Sequence, residues 1–129
     1  MKPLSHYITE ASYKTEDYKN AADAIKANIE ALEDLVYSRI GIKVKLTVEA
    51  QPRKVYIFSD DILPQCNDRI IPALFNSLKV TATGSFDRNG LVEFDLMIWM
   101  DWNERPATSN GHIIERIYFD TQINEWVSK

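Results

Sequence analysis

Residues 91–102 read LVEFDLMIWMDW, and this stretch decides the fold because its side chains alternate in character almost without error. One set is entirely apolar: Val92, Phe94, Leu96, Ile98, Met100 and Trp102. The other set mixes acids with aromatic and apolar residues: Leu91, Glu93, Asp95, Met97, Trp99 and Asp101. Successive side chains of a strand point to opposite faces. The stretch therefore predicts a long strand with one buried face and one acidic, aromatic face.

The preceding segment, Lys79–Phe86, alternates in the same way and predicts the partner strand of a hairpin. A three-residue connecting loop would place Phe86 opposite Val92, whereas a two-residue loop would place Phe86 opposite Glu93. Because register follows the buried face, we expect the three-residue loop, with Gly90 in the left-handed conformation of a β-bulge.

A helix is predicted from Thr15 to about Ile40, since apolar residues recur there at steps of three and four. The stripe consists of Tyr18, Ala21, Ala22, Ile25, Ile29, Leu32, Val36 and Ile40. Thr15 is a suitable N-cap, and Glu16 and Asp17 suit the positive end of the helix dipole. Gly41 is expected to end the helix.

Three further segments complete the expected secondary structure. Ile42–Ala50 alternates and Val55–Phe58 is a compact apolar run, so the two predict a second hairpin. Within Ile62–Leu78 the apolar spacing favours one short helix, whose length Pro64 and Pro72 limit. His112–Asp120 predicts another strand, and Asn103–Gly111 the longest loop.

The order of these elements predicts a single α+β domain over residues 1–129. One long N-terminal helix would pack on an antiparallel sheet of about four to five strands, with the short second helix between strand pairs. Residues 1–14 are expected to form an N-terminal arm. Residues 121–129 are expected to form a C-terminal tail whose Ile123, Trp126 and Val127 dock on the core.

Composition limits the possible partners. Nineteen acids and fifteen bases give a formal net charge of −4, which argues against non-specific nucleic-acid binding. The lone cysteine, Cys66, excludes an internal disulfide and a cysteine zinc cluster. No apolar run approaches the length of a membrane span. We expect a cytoplasmic protein, or one in the host cytoplasm or virion if it is phage-encoded.

The candidate site is the sheet face turned away from the helix, where Met97, Trp99 and Asp101 are expected. The last strand is oriented by polarity, because its even positions are the more polar set: His112, Ile114, Arg116, Tyr118 and Asp120. Placing them on the same face requires Glu115 to find an edge or an internal partner. Such a mixture of aromatic residues, Met and Arg is enriched at protein interfaces. The alternative is a solvated face on which the C-terminal tail covers Trp99.

Catalytic and metal-binding interpretations have less support. His112 with Glu115, Asp101 and Asp120 offers acid–base groups, but the chain holds only two histidines and no recognisable catalytic motif. The pair Asp60-Asp61 could bind magnesium or could cap a helix. We therefore expect no catalytic residue, metal or cofactor.

The resulting hypothesis is a non-enzymatic protein–protein interaction module. It would be a subunit of a homo-oligomeric or viral assembly, or a small acidic inhibitor or immunity-type protein. The expected binding residues are Met97, Trp99, Asp101, Arg105, His112, Arg116 and Tyr118.

Two alternatives remain open at the level of sequence. In a small-molecule or nucleotide pocket, Trp99 or Tyr118 would stack on the ligand, and Arg105 or Arg116 would bind its anionic group. A small hydrolase-like enzyme is the third possibility. The loop that carries Arg105 is either a ligand-binding loop or a solvated turn.

Overall fold

The computed structural model describes residues 13–61, 75–102 and 109–127, and these ranges form an α+β fold. Two helices come first in the chain, α1 (Thr15–Ala27) and α2 (Ile29–Ile40). Six strands follow within the described ranges: β1 (Leu46–Gln51), β2 (Lys54–Ser59), β3 (Phe75–Phe86), β4 (Leu91–Trp102), β5 (Ser109–Asp120) and β6 (Glu125–Val127). The strands pair in chain order in one antiparallel sheet. The α+β class and the antiparallel sheet are thus confirmed, with more strands than expected.

The prediction of one continuous helix was wrong at Asn28. The backbone of Asn28 leaves the helical region at φ −118° and ψ 21°. Its side-chain amide donates a hydrogen bond to the Ala24 carbonyl at 2.9 Å, and its own carbonyl accepts one from the Trp126 indole at 3.1 Å. Trp126 lies 98 residues further along the chain, so no local pattern reveals this contact.

The helix ends follow capping rules, with one correction. Lys14, and not Thr15, is the N-cap of α1, and its backbone N–H donates to the Asp17 carboxylate at 2.7 Å. Gly41 ends α2 in the left-handed conformation at φ 73°, as predicted.

The predicted register of the β3–β4 hairpin is confirmed. Phe86 lies opposite Val92, and the same register continues as far as Ser77 opposite Asp101, beyond which it shifts by one residue. The Asp87 N–H donates to the Leu91 carbonyl at 2.8 Å, which closes the three-residue loop, and Gly90 has φ 81°. The Asp87 carboxylate accepts hydrogen bonds from the backbone N–H groups of Asn89 and Leu91, so an aspartate at this position stabilises the turn.

Several element boundaries differ from expectation. β1 starts at Leu46, although Ile42 and Val44 before it are buried. The C-terminal end of the predicted short helix, from Phe75 to Leu78, belongs to β3, and residues 62–74 lie outside the described part. Similarly, residues 109–111 belong to β5 and not to a loop, while residues 103–108 lie outside the described part.

The core lies between the helices and one face of the sheet. The buried helix side chains are Tyr18, Ala21, Ala22, Ile25, Leu32 and Val36. The buried strand side chains include Val48, Val55, Ile57, Val80, Ala82, Phe94, Leu96, Ile117 and Phe119. The core therefore occupies the inner face of the sheet, and the opposite face, which we call the outer face, is the one that neither helix covers.

The C-terminal segment is only partly docked. Trp126 of β6 packs against Phe94 and Phe119, with ring centroids 5.7 and 5.0 Å apart. Ile123 is 56% exposed, so the prediction that it docks on the core was wrong. No helix of the described ranges has the length and apolar character needed to cross a membrane.

Candidate functional site

The outer face is a regular grid, because the register of each strand pair aligns its side chains in rows across the sheet. The first row holds Lys79, Trp99 and Gly111. The second row holds Thr47, Phe58, Thr81, Met97 and Ile113. The third row holds Glu49, Tyr56, Thr83, Asp95 and Arg116. The fourth row holds Ser85, Glu93, Tyr118 and Val127.

Apolar side chains concentrate in the first three rows and form a band, which Thr81 and Thr83 of β3 interrupt. This apolar band consists of Tyr56, Phe58, Met97, Trp99 and Ile113. The second row crosses five strands, which at a spacing of about 4.8 Å makes it roughly 19 Å long. Ile113 is 60% exposed and the other four side chains are half-buried. The band thus presents apolar surface on the side of the sheet opposite the core.

A β-bulge in β5 corrects the expected orientation of that strand. Leu96 pairs with Glu115 and Met97 with Ile113, so Ile114 is the extra residue. Arg116 and Tyr118 lie on the outer face as predicted, but beyond the bulge the alternation is shifted by one residue. His112 therefore pairs with Ile98 on the inner side, and the prediction that it joins Trp99 was wrong.

The same bulge changes the places of two isoleucines. Ile114 was expected on the outer face, but it packs against the core. Ile113 occupies the outer position opposite Met97. The sequence signal was the pair of adjacent isoleucines, which breaks the alternation of β5 without indicating where the extra residue lies.

Trp99 is held flat against the sheet by contacts on both sides. Its indole N–H donates to the Thr81 hydroxyl of β3 at 2.8 Å. Its six-membered ring lies over Gly111 of β5, where an added Cβ atom would come within 2.7 Å of the ring. The described C-terminal residues pack on the other face through Trp126, so the alternative in which the tail covers Trp99 finds no support in residues 121–127.

A groove of about 350 Å³ runs beside Trp99 on the outer face. Its lining combines apolar and polar groups: Tyr56, Asp61, Ser77, Lys79, Thr81, Thr83, Met97 and Trp99. Tyr56 stacks on Phe58 at 5.0 Å, and the Lys79 ammonium lies 5.8 Å from the Phe58 ring centroid. The groove is suited to an apolar side chain or a flat ring whose edges carry hydrogen-bonding groups.

Arg116 forms an ion-pair network at the charged end of the outer face. Its Nε lies 2.8 Å from Asp95 Oδ1 and 3.7 Å from Glu93 Oε1. The hydrogen bond to Asp95, with the charges of Asp95 and Glu93, raises the pKa of the Arg116 guanidinium. Because Arg116 is already engaged by carboxylates, it is poorly placed to bind an anionic ligand.

Glu115, which the sequence left in need of a partner, finds one on the inner side. Its carboxylate lies 2.7 Å from Nε of Arg39 on α2. Both side chains are partly exposed, so the pair adds only a fraction of a kcal/mol, about 0.2–1, to stability. Glu115 is therefore a structural contact between α2 and β5.

Sequence reasoning missed Tyr56 and Phe58, and it considered Asp61 only as a magnesium ligand or a helix cap and not as part of the outer face. Val55–Phe58 was interpreted as one compact apolar run, and no face was assigned to its members. The residues from Lys54 to Ser59 do alternate, with Val55, Ile57 and Ser59 buried. Applying the period-two rule to this segment would have placed Tyr56 and Phe58 on the outer face.

Two expected binding residues cannot be placed. The backbone of Asp101 belongs to β4, but its side chain lies outside the described part, as does all of Arg105. In the ranges that the structure describes, no three His, Cys, Asp or Glu side chains converge as a possible metal site.

Comparison of the chain with protein-family models, curated proteins and solved structures finds no match.

Proposed function

We propose that the protein is a non-catalytic docking module that binds another protein through the outer face of its sheet. The apolar band carries this proposal. It contains Trp99, Tyr56 and Met97, residue types enriched at protein interfaces, and Arg116, Asp95 and Glu93 form a polar border beside it. A central apolar cluster with a polar border is the usual arrangement of a binding surface. The cytoplasmic location expected from the sequence belongs to the same proposal.

Rigidity favours a binding role for Trp99. Its hydrogen bond to Thr81 and its close contact with Gly111 hold the indole before any partner arrives. A preordered aromatic side chain loses little conformational freedom on binding, which lowers the entropic cost of association. The flat pose leaves the ring's outer surface available to a partner.

Site-specific photo-cross-linking tests this proposal. A photoreactive amino acid is introduced at one of two positions in the full chain, which is expressed in its own cells. The test position is Ile113, which is 60% exposed in the apolar band, and the control position is Tyr37, which is 39% exposed on α2. We expect a discrete cross-linked protein from position 113, lost when Met97→Ser is added, and none from position 37. Equal capture at both positions, or capture only at position 37, would contradict docking through the outer face.

A small-molecule pocket is the second candidate, and the groove beside Trp99 favours it. Tyr56 and Trp99 offer ring surfaces, and Lys79 offers a cation. Native mass spectrometry of the protein from its own cells separates the two functions. A retained compound that disappears in the Lys79→Met variant supports the pocket, whereas protein of the mass of the chain alone supports docking.

A further inference from the structure

The outer face carries a charge imbalance that restricts its partner. Strand register places five carboxylates of the described residues on this face, and the groove lining adds Asp61. The six are Glu49, Asp61, Glu93, Asp95, Asp120 and Glu125. The cations of the same described face are Lys54, Lys79 and Arg116. Arg116 is already paired with Asp95. Over the described outer face, carboxylates therefore outnumber cations by six to three, which gives this side of the sheet a net negative charge.

Charge complementarity decides between the possible occupants of this face. A second copy of the chain would bring together two faces of the same net negative charge, and like charges across an interface are costly. An anionic lipid surface or a nucleic acid meets the same repulsion. A protein segment with Lys or Arg beside an apolar residue gains from both the charge and the band.

The groove beside Trp99 has a place for each part of such a segment. Trp99, Met97 and Tyr56 form its apolar walls, and Asp61 is an exposed carboxylate of the same lining. The lining also contains Lys79, whose ammonium lies 5.8 Å from the Phe58 ring centroid. Glu49 lies directly across the sheet from Tyr56 and adds a second carboxylate at the end of the band. An apolar side chain inserted beside Trp99 thus has carboxylates within reach of its basic neighbours.

We propose that the partner of the outer face is a basic protein segment whose aromatic or aliphatic side chain inserts in the groove between Tyr56 and Trp99. This proposal rests on the docking function above and specifies the chemistry of its partner. Electrostatic attraction to the negative face speeds association of the segment and favours it over neutral or acidic segments. Burial of its apolar side chain then stabilises the complex.

Three capped pentapeptides serve as probes, each with a central tryptophan flanked on both sides by two lysines, two serines or two glutamates. They are titrated into the isotope-labelled protein and followed by NMR at low salt. We expect the lysine peptide to bind at least about tenfold more tightly than the serine peptide, and the glutamate peptide most weakly. Shifts should map to the residues of the apolar band, and the preference should shrink as salt is added.

Charge variants give the matched control. In the double variant Asp61→Asn/Glu49→Gln the affinity for the lysine peptide should fall about three- to tenfold. The same formal change on the helices, Asp23→Asn/Glu30→Gln, removes two exposed carboxylates away from the outer face and should leave the affinity unchanged. An equal fall in both double variants would show non-specific charge attraction and overturn the proposal.

The anchor is tested with Trp99→Ala and, because that change also removes the partner of Thr81, with Ile113→Ser. Both substitutions should lower the affinity for the lysine peptide, and the NMR spectrum of each variant should show that the fold is intact. If the lysine and serine peptides bind equally, or if no peptide shifts resonances of the outer face, the proposal of a basic partner segment is overturned. The proposed docking function is not affected by that result. Cross-linking at position 113 decides the docking function independently, and capture there of a second copy of the chain would also contradict the basic segment.

Discussion

Glycines beneath aromatic rings are the residue-scale feature that supports both the core and the outer face. A Cβ atom at Gly84 would lie 2.4 Å from the Phe94 ring on the inner face, and Gly111 plays the same part for Trp99 on the outer face. In both cases the missing side chain lets a ring lie against the backbone of the neighbouring strand. The orientation of the Trp99 ring therefore depends on Gly111 of β5 as well as on the hydrogen bond to Thr81 of β3.

Tyr13 provides a test of stability against pH. Its ring stacks on Phe86 with centroids 3.9 Å apart, and burial, together with the nearby carboxylates of Asp87 and Asp17, raises the pKa of its hydroxyl. The fold thus favours the neutral phenol. The resulting stabilisation is complete below the unfolded pKa of about 10 and is lost as the pH rises through the higher folded value.

We therefore expect Tyr13→Phe to resist alkali better than the parent protein. The difference in free energy of unfolding between the two should stay constant from pH 7 to about pH 9 and then move in favour of the variant. Urea unfolding at a series of pH values measures it, with Tyr37→Phe, at an exposed position on α2, as the control. A constant difference up to pH 11 would show that folding does not raise the pKa of the Tyr13 hydroxyl.

At the scale of elements, the β3–β4 hairpin and β5 show where pattern reasoning succeeds and fails. The hairpin register was predictable because a shift by one residue would turn Glu93 toward the core. The length of the connecting loop alone determines whether that shift occurs. The bulge at Ile114 was not predictable in the same way. It packs Ile114 against the core and turns Ile113 to the outer face, and the contacts that decide this come from distant elements.

The loop of this hairpin can be tested at Gly90. Its φ of 81° is unfavourable for residues with a side chain, while an added Cβ atom would only touch the Tyr13 hydroxyl at 3.5 Å, an ordinary contact. Gly90→Ala should therefore cost about 1–2 kcal/mol through backbone strain. Gly90→Asn should cost less, because asparagine tolerates the left-handed region. Equal losses in thermal or urea unfolding would indicate crowding instead of strain.

At the scale of the whole molecule, the sheet has a central pair of strands and two weaker edges. β3 and β4 each have neighbours on both sides, whereas β1 has one and β6 is three residues long. Parts of a fold with few neighbours can open locally, at a lower free energy than global unfolding. The edge strands should therefore lose their amide protection while the rest of the sheet stays folded.

Hydrogen exchange should show this order directly. We expect the slowest amides in the paired stretches of β3 and β4, near Val80, Leu96 and Phe94, and the fastest strand amides in β6. Exchange measured by NMR under native conditions gives the free energy of opening at each site. Protection of β6 equal to that of β4 would show that the C-terminal strand belongs to the cooperative core.

The sequence by itself determined the features that a buried face imposes on a single element. These are the amphipathic stripe of the helices, the alternation of β4, the β3–β4 register and the stop at Gly41. Each follows from local geometry, because a period of 3.6 or 2 residues and a glycine at positive φ are properties of short stretches of chain.

Only the tertiary structure decided which elements meet and which face each side chain joins. Trp126 reaches the carbonyl of Asn28 across 98 residues and marks the break between α1 and α2. The bulge in β5 moves His112 away from Trp99 and brings Ile113 to the band. Register between distant strands aligns Tyr56 and Phe58 with Met97 and Trp99 in one surface. These outcomes depend on pairings between segments that are far apart in the chain. Such pairings minimise the exposed apolar surface and the unpaired charge of the whole fold, so no single stretch of sequence reveals them.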